Sequence, residues 1–304
     1  MPTFVDLFSG CGGMSLGFSL ANWTPLCAVD VYEDALKTYS QNFPETEVIC
    51  ADVNDQDLQN KLKTKYRNVD AVVGGPPCQG FSMASNRNRA TNKERYEQLN
   101  SLPLKYAKLA RSLCPKVIVM EEVPAAKVVV DEVETYLIQE GYNVTAQVYN
   151  ASKYSVPQSR KRIILVATRS GADFVPPSPE APISSGEALN RSPRPSHGTL
   201  VSEKTKSKIL LFKETKQRLW GKFETIDLSK PSPTILTVTN SSTGPYALQR
   251  GNNFYNLSAE ESARLQSFPS SYVFHGTTTS IRKQIGNAVP PMLARAIASS
   301  ITLR

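Results

Sequence analysis

Histidine is scarce in this chain, and cysteine occurs without the spacing of a structural site. The only histidines among 304 residues are His197 and His275. Neither lies in a motif that would pair it with a cysteine, which disfavours a Cys–His hydrolase. The five cysteines are odd in number and form no C-x-x-C pair, which favours a reducing compartment and no structural metal. They are Cys11, Cys27, Cys50, Cys78 and Cys114.

Long apolar runs are also missing. No run approaches the length of a transmembrane helix, and residues 1–8 lack the basic start of a signal peptide. Apolar residues make up 40% and charged residues 20% of the chain, as in ordinary soluble globular proteins. We therefore expect no membrane association and a cytoplasmic protein, with length for one large domain and one small domain.

Positive charge is in excess, and its position is more informative than its amount. Lys and Arg exceed Asp and Glu by 35 − 27 = 8, but many enzymes share a basic pI near 9.2. Between Gly186 and Lys222, nine basic residues face three glutamates, so this window holds 9 − 3 = 6 of the eight net charges. They are Arg191, Arg194, Lys204, Lys206, Lys208, Lys213, Lys216, Arg218 and Lys222. A segment facing DNA would have this bias.

The first residues predict a nucleotide-binding crossover. Thr3 to Phe8 is expected to form a strand, a Gly10-Cys11-Gly12-Gly13 loop follows, and Met14 to Leu20 is expected to be a helix. Glycines let a ligand approach the backbone, and a helix N-terminus favours an anion. The pattern G-x-G-x-x-G, which binds a pyrophosphate, is absent, and this disfavours a dinucleotide as the ligand.

Two further predicted strands each end in an acid. Asp30 follows Pro25 to Val29, and Asp52 follows the strand that begins at Val48. Each acid alone could be a helix cap or a solvated turn. Together with the glycine loop, they fit a ligand that contains a nucleoside, because an acid at the end of strand two can accept ribose hydroxyls.

A glycine- and proline-rich stretch follows the next predicted strand, residues 68–73. Gly74-Gly75-Pro76-Pro77 ends that strand sharply and places Cys78 on a loop at its carboxyl end, where open α/β sheets bind ligands. Residues 83–98 are polar and basic. Their composition fits a mobile lid over DNA or an ordinary solvated loop.

Charged residues also cluster around two later strands. Glu121 and Glu122 end the strand that begins at Lys116, and only one of two neighbouring side chains can point into a pocket. Arg160 and Arg162 share a face if both lie on the strand that continues to Ala167. Such a pair usually forms surface salt bridges.

From residue 170 onward the composition changes, with frequent prolines and no continuing parallel-sheet pattern. We expect a catalytic and cofactor-binding domain from residues 1–170 plus 282–304, and a recognition domain from residues 171–281. Within the latter, Leu257 to Phe268 is expected to form a helix capped by Ser258. Pro290-Pro291 is expected to begin a terminal helix.

The stretch from Gly74 to Ser82 resembles the Pro-Cys loop of the cytosine-C5 DNA methyltransferases, and the other blocks occur in the family's order from residue 4 to residue 303. The resemblance implies an α/β fold with a Rossmann-like mixed sheet and a smaller inserted target recognition domain. It implies S-adenosylmethionine as cofactor, double-stranded DNA as partner, and methylation of a flipped cytosine through a covalent Cys78 adduct. No metal or obligate protein partner is expected, and a monomer in the cytoplasm, associated with the nucleoid, is predicted.

The family's functional positions match specific residues of this sequence. The catalytic group is Cys78, Glu121, Arg160 and Arg162. The cofactor group is Phe8, Gly10, Gly12, Asp30, Val31, Asp52, Val53, Pro76, Leu102, Asn287 and Ala288. The DNA-binding group is Ser82, Arg87, Arg89, Lys204, Lys206, Lys208, Thr237, Asn240 and Gly244, the last three in a strand and glycine loop that begins at Thr234.

Two positions depart from the family pattern. Glu122 stands where the family has an Asn that steadies the Pro-Cys loop, and Val31 stands where a large side chain packs on adenine. Two other functions remain open: cytosine methylation of transfer RNA, and a catalytically weak relative that binds DNA as a regulator. The transfer-RNA branch carries Cys-Phe-Thr, and no cysteine here is followed by Phe-Thr.

Overall fold

The computed structural model describes residues 1–77, 99–191, 196–215, 224–237 and 246–304. The strands are β1 (Thr3–Leu7), β2 (Thr24–Asp30), β3 (Glu47–Cys50), β4 (Ala71–Gly74), β5 (Val117–Glu122), β6 (Asn143–Asn150), β7 (Lys161–Thr168), β8 (Ala172–Phe174), β9 (Glu224–Thr225), β10 (Tyr246–Arg250), β11 (Asn253–Asn256) and β12 (Ile301–Leu303). The helices are α1 (Gly13–Leu20), α2 (Glu33–Asn42), α3 (Gln56–Lys65), α4 (Leu102–Ser112), α5 (Lys127–Gln139), α6 (Ser185–Asn190), α7 (Glu203–Thr215), α8 (Ala259–Leu265), α9 (Thr278–Asn287) and α10 (Pro291–Ser299).

The centre of the fold is a seven-stranded sheet in the order β3-β2-β1-β4-β5-β7-β6. Strands β1 to β5 are mutually parallel, and β7 runs antiparallel between β5 and β6. Parallel strands are usually covered on both faces by the helices that connect them, and the residues of β1, β4 and β5 here are mostly apolar and buried. The carboxyl ends of β1, β2, β4 and β5 therefore meet at one edge.

Each face of the sheet packs against its own helices. On one face Val72, Ile118 and Leu165 pack with side chains from α3, α4 and α5. On the other face Val73 and Val119 pack with α1 and α10. An added Cβ at Gly17 would lie 2.4 Å from the Pro291 carbonyl oxygen, so a side chain there would force α1 and α10 apart.

The chain after residue 170 returns repeatedly to the first part of the sequence. β8 pairs antiparallel with the C-terminal strand β12. Tyr272 donates a hydrogen bond to the Cys11 carbonyl, and Thr38 donates to Gln284 at 2.7 Å. A separate three-stranded sheet has the order β11-β10-β9. The division into residues 1–170 plus 282–304 and residues 171–281 remains a proposal.

The structure confirms the strands and helices expected at the start of the chain, the strand that ends at Glu121 and Glu122, and the helix that begins at Pro291. Ser258 caps α8 in a capping box with Glu261, as its sequence pattern predicts. Helix α9 is not among the helices that the sequence predicts. No helix in the described ranges is both long and apolar enough to cross a membrane.

The expected strand from Thr234 is wrong for the part that the structure describes, residues 234–237, which form no strand. Side chains take the place of a neighbouring strand there. The Ile235 amide donates to the Gln158 side chain at 2.9 Å, and the Ile235 carbonyl accepts from Arg160 at 3.2 Å. Because both backbone groups of Ile235 are satisfied in this way, no strand partner is required.

Candidate functional site

The loop after β1 is shaped by residues with left-handed backbone conformations. Phe8, Gly10 and Gly12 have φ values of 62°, 51° and 84°. An added Cβ at Gly12 would lie 2.8 Å from both the Phe43 ring and the Tyr272 hydroxyl, whereas a Cβ at Gly10 would meet no atom within 4 Å. Gly12 is therefore enclosed by aromatic side chains, and Gly10 borders open space at the carboxyl edge of the sheet.

Asp30 ties this loop to the end of β2. One carboxylate oxygen accepts from the Gly10 amide and the other from the Tyr32 amide, both at 2.8 Å. Each oxygen keeps a lone pair, since a carboxylate has about four acceptor sites. The next residue, Val31, is 67% exposed. The Asp30 carboxylate can therefore accept hydrogen bonds from a ribose, and the exposed Val31 side chain beside it can contact a base.

The remaining residues of the predicted cofactor group lie on both sides of this loop. Asp52 is exposed and its carboxylate accepts from the Asn54 amide at 2.9 Å. Val53 and Pro76 are buried, and Leu102 packs against the main core. Asn287 is exposed and Ala288 is half-buried at the end of α9, where an added Cβ at Gly13 would lie 3.1 Å from the Ala288 Cβ.

An ion pair joins two strands at the same edge of the sheet. Glu121 at the end of β5 accepts from Arg162 on β7, with 2.6 Å between Oε1 and Nε, and both side chains are largely buried. The other carboxylate oxygen lies 3.0 Å from where a Cβ of Gly75 would be. The chain that leads to Cys78 therefore starts against the Glu121 carboxylate.

The strand register separates Glu121 from Glu122. Glu121 lies opposite Ile164 and Glu122 opposite Ile163. Side chains two residues apart share a face, so Arg162 lies on the face of Glu121. Glu122 lies on the other face, is 2% exposed, and accepts from the Val123 amide at 3.1 Å. Of the two carboxylates, only Glu121 faces the arginine.

Arg160 is buried more deeply than Arg162 and makes different contacts. Only 1% of it is exposed, and its guanidinium donates to the carbonyls of Ile235 at 3.2 Å and Gly286 at 2.8 Å. Burial, and then the charge of Arg162, lower the pKa of Arg160 to about 9, while Glu121 acts in the opposite direction. Arg160 thus contacts backbone rather than the space beside Glu121.

The cysteines of the described ranges do not lie beside Glu121. Cys11 and Cys27 are buried, and burial raises the pKa of each thiol to about 12. Cys50 is exposed but ends β3, four strand positions from β5, or roughly 19 Å at the usual spacing. It borders a groove of about 470 Å³ formed by α2, β3 and His275. Cys114 precedes β5 at the end opposite to Glu121.

Three lysines of the predicted DNA-binding group lie on α7. Lys204 is exposed, and Lys206 and Lys208 are half-buried. No ion pair engages any of them within the described ranges. Thr237 lies next to α9, with its amide 2.7 Å from where a Cβ of Gly286 would be. Six predicted site residues lie outside the described residues: Cys78, Ser82, Arg87, Arg89, Asn240 and Gly244.

Sequence reasoning missed two buried polar groups near the site. Asp6 on β1 is 1% exposed, accepts from Ser15, and has a carboxylate oxygen with no partner in the described ranges. Burial raises its pKa to about 7. Gln158 donates to the Gln266 side chain at 2.6 Å, and neither residue is exposed. For Asp6 the available signal was a carboxylate within an otherwise apolar strand, whereas Gln158 lies in a polar stretch that gives no such signal.

The sequence of residues 2–303 matches the family described as C-5 cytosine-specific DNA methylase. The chain belongs to this family. Among curated relatives it is 32% identical to the Type II methyltransferase M1.HphI of Haemophilus parahaemolyticus, over 98% of this chain and 86% of the relative. It is also 32% identical to the Type II methyltransferase M.HindV of Haemophilus influenzae, over 98% of this chain and 95% of the relative.

Solved structures support the fold of a C-5 cytosine-specific DNA methylase. An Escherichia coli prophage protein described as a DNA modification methyltransferase superposes with a TM-score of 0.73 and 22% identity, over 99% of this chain and 98% of that one. The Dnmt2 methyltransferase of Schizosaccharomyces pombe gives a TM-score of 0.72 and 19% identity, with 98% of each chain covered. The enzyme is a DNA (cytosine-5-)-methyltransferase with the Rossmann-like fold that the sequence predicted.

Proposed function

We propose that the enzyme transfers a methyl group from S-adenosylmethionine to carbon 5 of a cytosine flipped out of a specific duplex DNA site, through a covalent bond to Cys78. The observation that carries this proposal is the Glu121–Arg162 pair, 2.6 Å long, at the carboxyl edge of the sheet. Gly75 lies against the same carboxylate and precedes Cys78 by three residues. Cys78 therefore follows, by three residues, a backbone position that lies against the carboxylate of the ion pair.

The target cytosine has to leave the duplex, because a nucleophile on a protein loop cannot reach the ring inside the base stack. The Cys78 thiolate forms a bond to carbon 6 of the ring, which makes carbon 5 nucleophilic enough to take a methyl group. A base, for which water suffices, then removes the carbon 5 proton, and the bond to Cys78 breaks. The products are 5-methylcytosine, S-adenosylhomocysteine, the released proton and the regenerated thiolate.

Glu121 and Arg162 hold the cytosine during this reaction. Glu121 bonds the ring nitrogen and the exocyclic amine, and Arg162 bonds the carbonyl oxygen. Their ion pair holds both side chains at one depth on one face of the sheet. Glu122 points to the opposite face, so in this proposal it acts only on the support of the loop.

The loop after β1 fits the nucleoside and amino-acid parts of the cofactor. Gly10 borders open space, Asp30 keeps acceptor capacity, and Val31 is exposed beside it. We assign the amino-acid part to Phe8 and the glycines, the ribose to Asp30 and the adenine to Asp52 and Val31. When bound, S-adenosylmethionine supplies the methyl group.

DNA is proposed to contact the basic segment around α7 and the region after Thr237. The relatives at 32% identity are named Type II methyltransferases, which favours sequence-specific DNA over transfer RNA as substrate. A cytoplasmic monomer associated with the nucleoid is part of the same proposal. So is the division into a catalytic domain and a recognition domain that spans residues 171–281.

Two assays test the proposal. One maps DNA methylation in cells, and the other traps the covalent enzyme–cytosine adduct in vitro. Plasmid from cells that express the wild-type enzyme should contain 5-methylcytosine at one sequence, mapped by conversion sequencing. Cys78→Ala should abolish it, while Cys50→Ala, which changes the exposed cysteine at the sheet edge, should not. A duplex with 5-fluorocytosine at that site should become covalently attached to Cys78, because fluorine cannot leave as a proton does.

Four results would contradict the proposal. Methylation by the Cys78→Ala enzyme would show that Cys78 is not the nucleophile. If mass spectrometry maps the adduct to Cys11 or Cys114, the proposed reaction mechanism is wrong. Methylated cytosine in transfer RNA with none in plasmid would establish the other substrate, and no methylation of either would leave only a role in binding DNA.

A further inference from the structure

Arg160 connects two segments that are far apart in sequence. Its guanidinium donates to the Ile235 carbonyl and to the Gly286 carbonyl, and 1% of the residue is exposed. Ile235 precedes Thr237 by two residues, just before the region proposed to contact DNA. Gly286 precedes Asn287 and Ala288, which belong to the proposed cofactor group. One side chain therefore contacts both regions.

Two glutamines strengthen the same connection. Gln158 accepts from the Ile235 amide at 2.9 Å and donates to the Gln266 side chain at 2.6 Å. Gln266 donates to the carbonyls of Ile285 at 2.7 Å and Ala288 at 3.1 Å. Gln158, Arg160 and Gln266 thus form a buried polar cluster that bonds to the backbone on both sides of the contact between Gly286 and Thr237.

The energetics make this cluster sensitive to movement. Arg160 has no ion-pair partner within the described ranges, and its Nε has no acceptor there. A buried cation is costly unless dipoles compensate it. The Gly286 carbonyl does so from the C-terminal turn of α9, the negative end of the helix dipole. If either segment moved away, a buried donor would lose its acceptor and be left both desolvated and unpaired, which is unfavourable.

We propose that Arg160 is a positioning residue that couples DNA binding to methyl-donor binding, by holding residues 235–237 and residues 285–288 in one arrangement. The inference rests on the proposed function. A ligand that orders one of the two segments lowers the free-energy cost of ordering the second segment. DNA and the methyl donor therefore each tighten the binding of the other ligand by the same factor. Arg160 acts through the backbone and does not touch the reacting base.

The experiment measures DNA affinity with and without S-adenosylhomocysteine, the demethylated product, so that no turnover is needed. The duplex carries the site mapped by plasmid sequencing. Wild-type enzyme should bind it at least about fivefold tighter in the presence of the product. Arg160→Lys keeps the charge but places it at a single point, which cannot span both carbonyls. Its enhancement should fall below about twofold, with each ligand alone bound within about threefold of wild type.

Arg169→Lys is the matched control, because Arg169 is a partly buried arginine at the other end of β7 that donates to the Cys114 carbonyl instead. It should keep the full enhancement. Gln266→Met replaces a side chain of similar size and removes the bonds to Ile285 and Ala288. It should lose the enhancement as Arg160→Lys does, and it carries the test if Arg160→Lys does not fold.

The outcomes separate the two proposals. If the wild-type enzyme methylates plasmid DNA but the product does not tighten DNA binding, the coupling proposal is overturned while the function stands. The same holds if the folded Arg160→Lys or Gln266→Met enzyme keeps the wild-type enhancement, or if Arg169→Lys loses it equally. If the wild-type enzyme neither binds nor methylates DNA, it is the proposed function that fails.

Discussion

Charge is handled in opposite ways by the catalytic edge of the sheet and by α7. At the edge, Glu121 and Arg162 are buried and bonded to each other at 2.6 Å. On α7, Lys204, Lys206 and Lys208 reach solvent and have no ion pair within the described ranges. Buried charges that satisfy one another fix a geometry, whereas unpaired surface charges attract an external polyanion. The difference assigns chemistry to the first region and DNA contact to the second.

Breaking the catalytic pair should have the largest effect. Glu121→Gln removes the carboxylate from the face of Arg162 and should lower kcat by about 10²- to 10⁴-fold. Glu122→Gln makes the same change on the other face and should lower kcat by less than about tenfold. Single-turnover methylation of a defined duplex measures both. If Glu122→Gln is the more damaging change, the assignment of the two carboxylates is reversed.

Asp6 sharpens the comparison, since it is a buried carboxyl group at the same edge without a cationic partner in the described ranges. Its pKa is raised from 3.8 to about 7, mainly by burial. Between these pH values the folded enzyme keeps the proton that the unfolded chain has released, so stability falls as pH rises. The loss is about 1.4 kcal/mol per pH unit, on the order of 4 kcal/mol once pH exceeds 7.

Asp6→Asn should remove this dependence. Urea unfolding at several pH values between 4 and 8 should show the wild-type enzyme losing stability relative to the variant as pH rises. Asp57→Asn, which removes a carboxylate from an exposed position on α3, is the matched control. Parallel curves for the wild-type enzyme and Asp6→Asn would show that Asp6 does not titrate in this range.

Two glycines of the cofactor loop should separate stability from binding. Gly10→Ala places a methyl group in open space, so it should cost only the left-handed backbone strain, about 1–2 kcal/mol, while weakening cofactor binding. Gly12→Ala adds a collision with Phe43 and Tyr272 and should cost roughly 2–4 kcal/mol. Urea unfolding and calorimetric titration with S-adenosylmethionine measure the two effects. Equal losses of stability would contradict the enclosed position of Gly12.

The sequence predicted the catalytic edge better than the recognition region for a physical reason. Strand ends such as those before Asp30 and Glu121 follow apolar runs whose period and punctuation can be read directly. Residues 234–237 also have a strand-like composition, but the side chains of Gln158 and Arg160 satisfy the backbone of Ile235. Such long-range contacts leave no local pattern in the sequence.

The last prediction tests the exposed side of the comparison. At 100° per residue, Lys204 and Lys208 lie on one flank of α7 and Lys206 lies on the other. Charge reversal at Lys204 and Lys208 should therefore remove two neighbouring phosphate contacts, weaken DNA binding about tenfold and reduce the salt slope by about two. Reversal at Lys204 and Lys206 makes the same change in net charge across both flanks and should have about half the effect on the slope.

Fluorescence anisotropy of a labelled duplex over a range of salt concentrations measures both slopes, and S-adenosylmethionine affinity should stay unchanged in each variant. If DNA binding by the two double variants has the same salt slope, attraction to DNA depends on net charge alone, and α7 presents no particular flank to DNA. If cofactor binding falls while DNA binding is kept, the basic segment belongs to the cofactor side. The contrast between paired charges at the sheet edge and unpaired charges on α7 would then no longer separate chemistry from DNA contact.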